Sequence, residues 1–164
     1  MAGVDLVDDD SDATDCEGHG TTTAGLAVGT LYGVATGATV HPVRVLACNG
    51  QGATSDVVAG LQWAVTSHLA SHPTEPAVIS MSLGGSRSRA LTAAVEAAVA
   101  AYVTVVASAG NDGGDACDEG AVTTAAALRV GATTPTDALA AFSNGGAIRS
   151  LGGSFRRVQG GTSG

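Results

Sequence analysis

Apolar residues in this chain follow two different spacings. Four short runs are continuous and rich in Val, Ile and Leu, and turn-forming residues follow them, as in "GGS" and "AGNDGG". Runs of this kind are typical of strands buried in a parallel sheet. The predicted strands are residues 39–47, 76–83, 102–108 and 126–133.

Three other segments predict helices, at residues 19–29, 55–69 and 88–101. The second and third repeat apolar residues every three to four positions, whereas the first is a short stretch between glycines. Ser55 or Thr54 is predicted to cap the second helix, and Asp56 suits its first turn. Because strands alternate with helices, the order predicts parallel β-α-β units. The expected fold is α/β, with a doubly wound parallel sheet in three layers.

Two segments lack this regularity. Residues 5–18, "DLVDDDSDATDCEG", are predicted to form a solvated acidic loop, since an EF-hand loop would need glycine where Ala13 stands. From residue 145 the composition shifts to Gly, Ser and Arg without periodicity. The sequence therefore predicts one domain over 1–144 and a divergent, disordered tail over 145–164.

Composition narrows the class of protein. The chain has 164 residues, of which 45% are apolar, a formal net charge of −8 and only 7 Lys and Arg. That length suits one compact domain, and so few scattered cations exclude a nucleic-acid partner. No apolar run reaches the roughly 18 residues of a membrane span. The segment "MAGVDLVDDD" is not a signal peptide. The expected state is a monomer.

Candidate chemistry lies at two strand ends, "MSLGGS" and "ASAGND", because function gathers at the carboxyl ends of parallel strands. Neither place matches the dinucleotide pattern G-x-G-x-x-G, and no P-loop lysine follows. Acyl transfer is the other option. It requires a nucleophile, a base, an orienting carboxylate and an oxyanion donor. His19, between two glycines, could be the base or a polar residue at a helix start.

The blocks "DCEGHGTTTAG", "VISMSLGGS", "VVASAGNDGGDAC", "RVGATT" and "AFSN" occur in one order, with "YGVATGATVHPVRVLACNGQG" after the first. Together they resemble the subtilisin-like serine peptidases (subtilases), and most of all the proteinase K branch that includes aqualysin. The resemblance runs from Asp15 to Asn144. It implies a three-layer α/β fold, serine endopeptidase activity on protein or peptide substrates, and a secreted location.

The resemblance also implies roles for individual residues. His19 matches the catalytic histidine, a general base and then a general acid, and Asn111 matches the oxyanion asparagine. Cys16 and Cys48 match a disulfide pair, and Cys117 matches one member of a second pair whose other position holds Ile148. The positions that match the substrate groove are Ser82, Leu83, Gly84, Gly85, Ser108, Ala109 and Gly110.

The chain departs from the family pattern at both ends. The strand with the catalytic aspartate would precede Met1, and no aspartate of residues 5–15 matches it. Ser163, in "GGTSG", matches only the first three residues of the nucleophile motif G-T-S-M-A. The expectation is therefore an incomplete catalytic domain with little or no activity. The alternative is a non-catalytic fragment that binds peptides in the same groove.

The expected chemistry needs no cofactor, and no calcium site of the family is matched. Whether the chain binds a structural calcium ion stays open. The acidic loop and the segment after Cys117 both depart from known calcium-binding patterns, so neither supports a site. The three cysteines follow no zinc spacing.

Overall fold

The computed structural model describes residues 3–118 and 121–145, which form two compact units that meet in sequence between Pro73 and Thr74. Within these ranges no helix is long and apolar enough to cross a membrane. The elements are, in chain order, β1 (Val4–Asp5), α1 (His19–Val28), β2 (Val43–Arg44), α2 (Thr54–Ser71), β3 (Val78–Met81), α3 (Arg89–Ala100), β4 (Thr104–Ser108) and β5 (Leu128–Val130).

The first unit contains a parallel pair of short strands and two helices. Strand β1 pairs with β2 in the register Val4↔Val43 and Asp5↔Arg44. Helix α2 packs against β2 at Gly60, where a Cβ atom would lie 2.8 Å from Val45 Cγ1. Glycine at this position therefore lets the helix approach the strand closely.

The prediction that the whole acidic loop is solvated is wrong at Asp5. Its side chain is only 1% exposed, because β1 places it beside Arg44 of β2, with which it forms an ion pair. Burial alone would raise the pKa of Asp5, but the amides of Val7 and Asp8, together with Arg44, lower it below the usual value. The other aspartates of this segment, from Asp8 to Asp15, are exposed as predicted.

The second unit contains three parallel strands in the order β3-β4-β5. Helix α3 connects β3 to β4 and buries Leu91, Val95 and Ala98. These side chains join a core that also includes Val105 and Ala107 of β4. The order β3-α3-β4 and the parallel pairing of all three strands confirm the predicted α/β class.

The predicted strands are longer than the observed ones. In the run 39–47 only Val43 and Arg44 pair, since Pro42 has no N–H group to donate to a neighbouring strand. In the run 102–108 the strand begins at Thr104, because Tyr102 adopts a left-handed conformation with φ of 63°. The backbone before each strand therefore limits its length.

Helix α2 also differs from prediction at its first turn. It begins at Thr54 with Ala53 as N-cap, and no side chain caps it. The hydroxyl of Ser55 donates instead to the Asp56 carboxylate, at 3.0 Å. The prediction that Ser55 or Thr54 caps this helix is therefore wrong, whereas Asp56 does lie in the first turn, as predicted. Helix α3 is capped by Ser88, whose Oγ accepts from the Leu91 amide at 3.3 Å.

The core of the second unit generates a test of stability. Leu91 is 3% exposed, so Leu91→Ala should lower the free energy of unfolding by about 2–4 kcal/mol through lost burial and a residual cavity. Tyr102→Ala is the control, because that side chain is 96% exposed and its loss should change the free energy by less than about 0.5 kcal/mol. Urea denaturation followed by circular dichroism measures both. Equal midpoints for the two variants would contradict this assignment of the core.

Candidate active site

His19 is the first residue of helix α1, and Asp15 holds the start of that helix. The N-cap, Gly18, is left-handed with φ of 97° and has no side chain that could accept a hydrogen bond. Asp15 supplies the missing acceptor. Its Oδ1 accepts from the amides of Glu17 and Gly18 at 3.1 and 2.8 Å. Its Oδ2 accepts from the amide and the hydroxyl of Thr21 at 2.7 and 2.6 Å.

These contacts stabilise the ionised form of Asp15. The hydroxyl of Thr21 contributes most, and the amides of Gly18 and Thr21 add to it, so the pKa of Asp15 lies well below its usual range. The charge also lies at the amino-terminal end of α1, where the helix dipole favours an anion. Asp15 is therefore a charged cap for the helix that carries His19.

The imidazole of His19 is available for proton transfer. The backbone N–H of His19 donates to Glu17 Oε2 at 2.9 Å, whereas the ring forms no hydrogen bond with any described residue. His19 is half-buried. Three aspartates that precede it have other contacts: Asp15 caps α1, and Asp5 and Asp8 pair with Arg44. None of the described carboxylates orients the ring.

A disulfide anchors the segment before α1. Cys16, next to Asp15, is bonded to Cys48, 32 positions further along the chain. Arg44 Nη2 approaches both sulfur atoms, at 3.7 Å from Cys16 and 3.6 Å from Cys48. The cap on α1 is thus tied covalently to the segment that follows β2. Cys117 is not in a disulfide, and Arg129 Nη2 lies 3.6 Å from its sulfur.

The second unit contains the groove residues and Asn111. Because Met81 pairs with Ala107, the ends of β3 and β4 are adjacent, and Ser108 Oγ donates to the carbonyl of Leu83 at 3.2 Å. The segments Ser82–Gly85 and Ser108–Gly110, which the family resemblance assigned to the substrate groove, therefore lie side by side. The backbones of Gly84 and Gly85 form no hydrogen bond within the described ranges.

Asn111 follows the groove wall in an exposed loop. Gly110 adopts φ of 101°, which a residue with a side chain would adopt only at a cost. The side chain of Asn111 is exposed and has no hydrogen-bond partner among the residues that the structure describes. Its amide is therefore free to donate to a ligand. The buried side-chain oxygen of Asn144 accepts from the neighbouring backbone N–H groups of Asp112 and Gly114.

The structure thus presents His19 in the first unit, and Asn111 with the groove segments in the second. Ser163 and the rest of the predicted tail lie outside the described residues except for Gly145, whose backbone bonds to Gly114 and Ala116. Sequence reasoning missed Asp15 as a cap, because it lies three residues before the N-cap rather than at it. It also used Asn144 only as part of the "AFSN" block.

Comparison with known proteins agrees with these features. Residues 2–152 match the profile of the subtilase family, so the chain belongs to that family. It is 54% identical over 144 residues to the extracellular serine proteinase of Thermus sp. (strain Rt41A), covering 88% of this chain and 34% of the relative. It is 47% identical over 146 residues to alkaline serine exoprotease A of Vibrio alginolyticus, covering 89% of this chain and 26% of that protein.

A solved structure extends this comparison to the fold. The crystal structure of a cold adapted subtilisin-like serine proteinase matches with a TM-score of 0.80 and 40% identity, covering 90% of this chain and 52% of the other. The fold is therefore subtilisin-like, as the sequence predicted. The chain spans about a third or less of the length of the two curated relatives. The family that the sequence predicted, the subtilases, is therefore confirmed.

The cap on α1 generates a prediction about pH. The pKa of Asp15 is lower in the folded chain than the usual value of about 3.9. The stability that the ionised Asp15 gives to the start of α1 is thus complete above that usual value and is lost as the pH falls toward the folded pKa. We expect the Thr21 amide to be protected from hydrogen exchange at pH 6 and to lose protection progressively below about pH 4. Asp15→Ala should lower this protection at both pH values and remove its pH dependence.

Asp12 provides the matched control for this experiment. It is an exposed aspartate of the same segment, and its carboxylate accepts only from Thr14 among the described residues. Asp12→Ala should therefore leave both the protection of Thr21 and its pH dependence as in the parent chain. Amide exchange read by NMR measures all three proteins. An acid-dependent loss in Asp15→Ala equal to that of the parent chain would contradict the role of Asp15.

Proposed function

We propose that the protein containing this chain is a serine endopeptidase in which His19 is the general base and Asn111 the oxyanion donor. The observation that carries the proposal is the placement of His19. It is the first residue of a helix that Asp15 caps, and its imidazole forms no hydrogen bond or ion pair with the described residues. Membership of the subtilase family supports the same assignment.

In the proposed mechanism each residue has one chemical task. His19 accepts the proton of a serine hydroxyl as that oxygen attacks the peptide carbonyl, and then donates the proton to the leaving amine. The Asn111 amide donates to the negative oxygen of the tetrahedral intermediate. Loss of one such donor slows acyl transfer by about 10²–10³-fold, a magnitude measured in a member of this family rather than calculated for this chain.

The two groove segments supply substrate binding in this proposal. Ser82–Gly85 would pair with an extended peptide through the backbone, as an added strand. Support comes from the unpaired backbones of Gly84 and Gly85. Ser108–Gly110 would form the opposite wall, around the residue that precedes the scissile bond. The hydrogen bond between Ser108 and Leu83 would fix the spacing of the walls.

We also propose that the 164-residue chain by itself hydrolyses peptides weakly or not at all. A serine–histidine pair depends on a third group that orients the ring, and no described carboxylate bonds to the imidazole of His19, because Glu17 meets only its backbone N–H. Ser163 remains the candidate nucleophile of this chain. We propose no cofactor for the chemistry, no nucleic-acid or membrane partner, and a monomeric state.

The second candidate function is peptide binding without turnover. It is favoured by the groove, which lies wholly in the second unit and whose two walls are joined by the bond from Ser108 to Leu83. Such binding would need neither His19 nor a nucleophile. A secreted location is proposed for either function. It is supported by the Thermus relative, which is named an extracellular serine proteinase, and by the disulfide, which suits an oxidising compartment.

A fluorophosphonate probe and an unfolded fluorescent protein substrate test the activity of the chain. We expect no stoichiometric labelling and no hydrolysis above that of His19→Ala, because the ring lacks an orienting carboxylate. Mass spectrometry locates any label. Stoichiometric labelling at Ser163 that is lost in His19→Ala would show a working pair and overturn the proposal of weak activity.

Peptide binding is measured separately by fluorescence anisotropy with a labelled extended peptide. Gly84→Pro should weaken this binding if the groove is used, since proline removes a backbone donor and restricts the segment. His19→Ala should leave it unchanged. Binding that is insensitive to Gly84→Pro would contradict the assignment of Ser82–Gly85 as the peptide-pairing segment.

A further inference from the structure

Asn144 is a fully buried polar residue that the proposed chemistry leaves without a role. It is 0% exposed, and few other polar residues in the described ranges are buried at all. Its Nδ2 is the one buried side-chain nitrogen or oxygen atom there that has no hydrogen-bond partner. Burial of a polar side chain is costly unless its hydrogen bonds offset the loss of water. The remaining contacts of Asn144 must therefore be important to the fold or to the site.

Those contacts converge on the loop that carries Asn111. Asn144 Oδ1 accepts from the amides of Asp112 and Gly114, each at 2.9 Å. The backbone N–H of Asn144 donates to the carbonyl of Gly110, also at 2.9 Å. One residue thus bonds to the peptide groups on both sides of Asn111, although it lies more than 30 positions away in sequence.

Asn144 is itself held in place from the other side. The hydroxyl of the preceding residue, Ser143, accepts from the amide of Ala132, which follows β5, at 2.9 Å. Ser143 is 3% exposed. The loop of Asn111 follows β4, so these bonds connect the ends of two paired strands through a buried link. The position of Asn111 therefore depends on the sheet rather than on the exposed loop alone.

The side chain of Asn144 also packs closely against Gly110. A Cβ atom on Gly110 would lie 2.4 Å from Asn144 Nδ2, and the positive φ of Gly110 also disfavours a side chain. The unpartnered amide group thus packs directly against the glycine that precedes Asn111. Its volume fills the space, while its oxygen supplies the acceptor for the loop.

We propose that Asn144 is a positioning residue for the oxyanion site, which sets the backbone of Asn111 and so the direction of its side-chain amide. This inference rests on the proposed function of Asn111. Preorganised donors are effective because they cost no reorganisation when charge develops in the transition state. A short exposed loop of glycines and aspartate would not provide such order without an internal acceptor.

Hydrogen exchange in the 15N-labelled chain tests the contacts without any need for turnover. In the parent chain the amides of Asp112 and Gly114 should be protected, whereas the amide of Asn111, which bonds to no described residue, should exchange freely. Asn144→Ala should accelerate exchange at Asp112 and Gly114 by about fivefold or more relative to β4, since each lost bond is worth about 1 kcal/mol and about 1.4 kcal/mol corresponds to a tenfold change. Asn144→Asp keeps the acceptor oxygen and should restore most of the protection.

Val95→Ala is the matched control for a purely structural effect. Val95 is also 0% exposed, but it lies on α3 and bonds to nothing in the loop. Its loss should accelerate exchange across the second unit without selecting Asp112 and Gly114. The NMR signal of the Asn111 side-chain amide gives a second readout. It should shift or broaden in Asn144→Ala and stay unchanged in Val95→Ala.

The outcomes separate this inference from the proposed function. If Asn144→Ala and Val95→Ala affect the loop equally relative to β4, or if Asn144→Asp restores nothing, the positioning role is wrong. If Asn144→Ala does not fold, the parent chain and Asn144→Asp provide the test. Free exchange of the Asp112 and Gly114 amides in the parent chain overturns the positioning role. Protection of these amides in both the parent chain and Asn144→Asp supports it. Asn111→Ala should leave both amides protected, so failure of the oxyanion assignment would not alter this result.

Discussion

Backbone N–H groups outside regular structure need acceptors, and in this protein two side chains supply them at the candidate catalytic positions. Asp15 accepts from amides at the start of α1, beside His19. Asn144 accepts from amides beside Asn111. In each case the oxygen comes from outside the short segment that it holds. The backbone beside both candidate side chains is therefore held by hydrogen bonds that these residues themselves do not form.

Helix α1 depends strongly on its cap, because packing against other elements contributes little to the stability of that helix. It has ten residues, none of which is buried in the described structure. Helices of this length are marginal in water, and most draw their stability from a packed face. Leu31, Tyr32 and Val34, which follow α1, are also strongly exposed. The charge of Asp15 and the neighbouring disulfide are thus the main local constraints on the position of His19.

Sequence reasoning was most reliable where the signal was local. The apolar face of α3 was predicted because Leu91 and Val95 lie four residues apart, and both are buried. It was least reliable at the ends of elements. Ser55 looks like a helix cap by composition, but its hydroxyl bonds to Asp56 instead. Asp5 looks like part of a solvated loop, and only the pairing of β1 with β2 shows why it is buried.

The sequence by itself determined the α/β class, the order of strands and helices, and the family blocks that point to His19 and Asn111. Those features depend on residue spacing within short segments, which a linear pattern records. Only the tertiary structure decided which polar side chains support these residues. Asp5 meets Arg44, and Asn144 meets Asp112, across more than 30 intervening positions. No local period specifies such contacts, because they arise from the register of parallel strands and the loops that the sheet brings together.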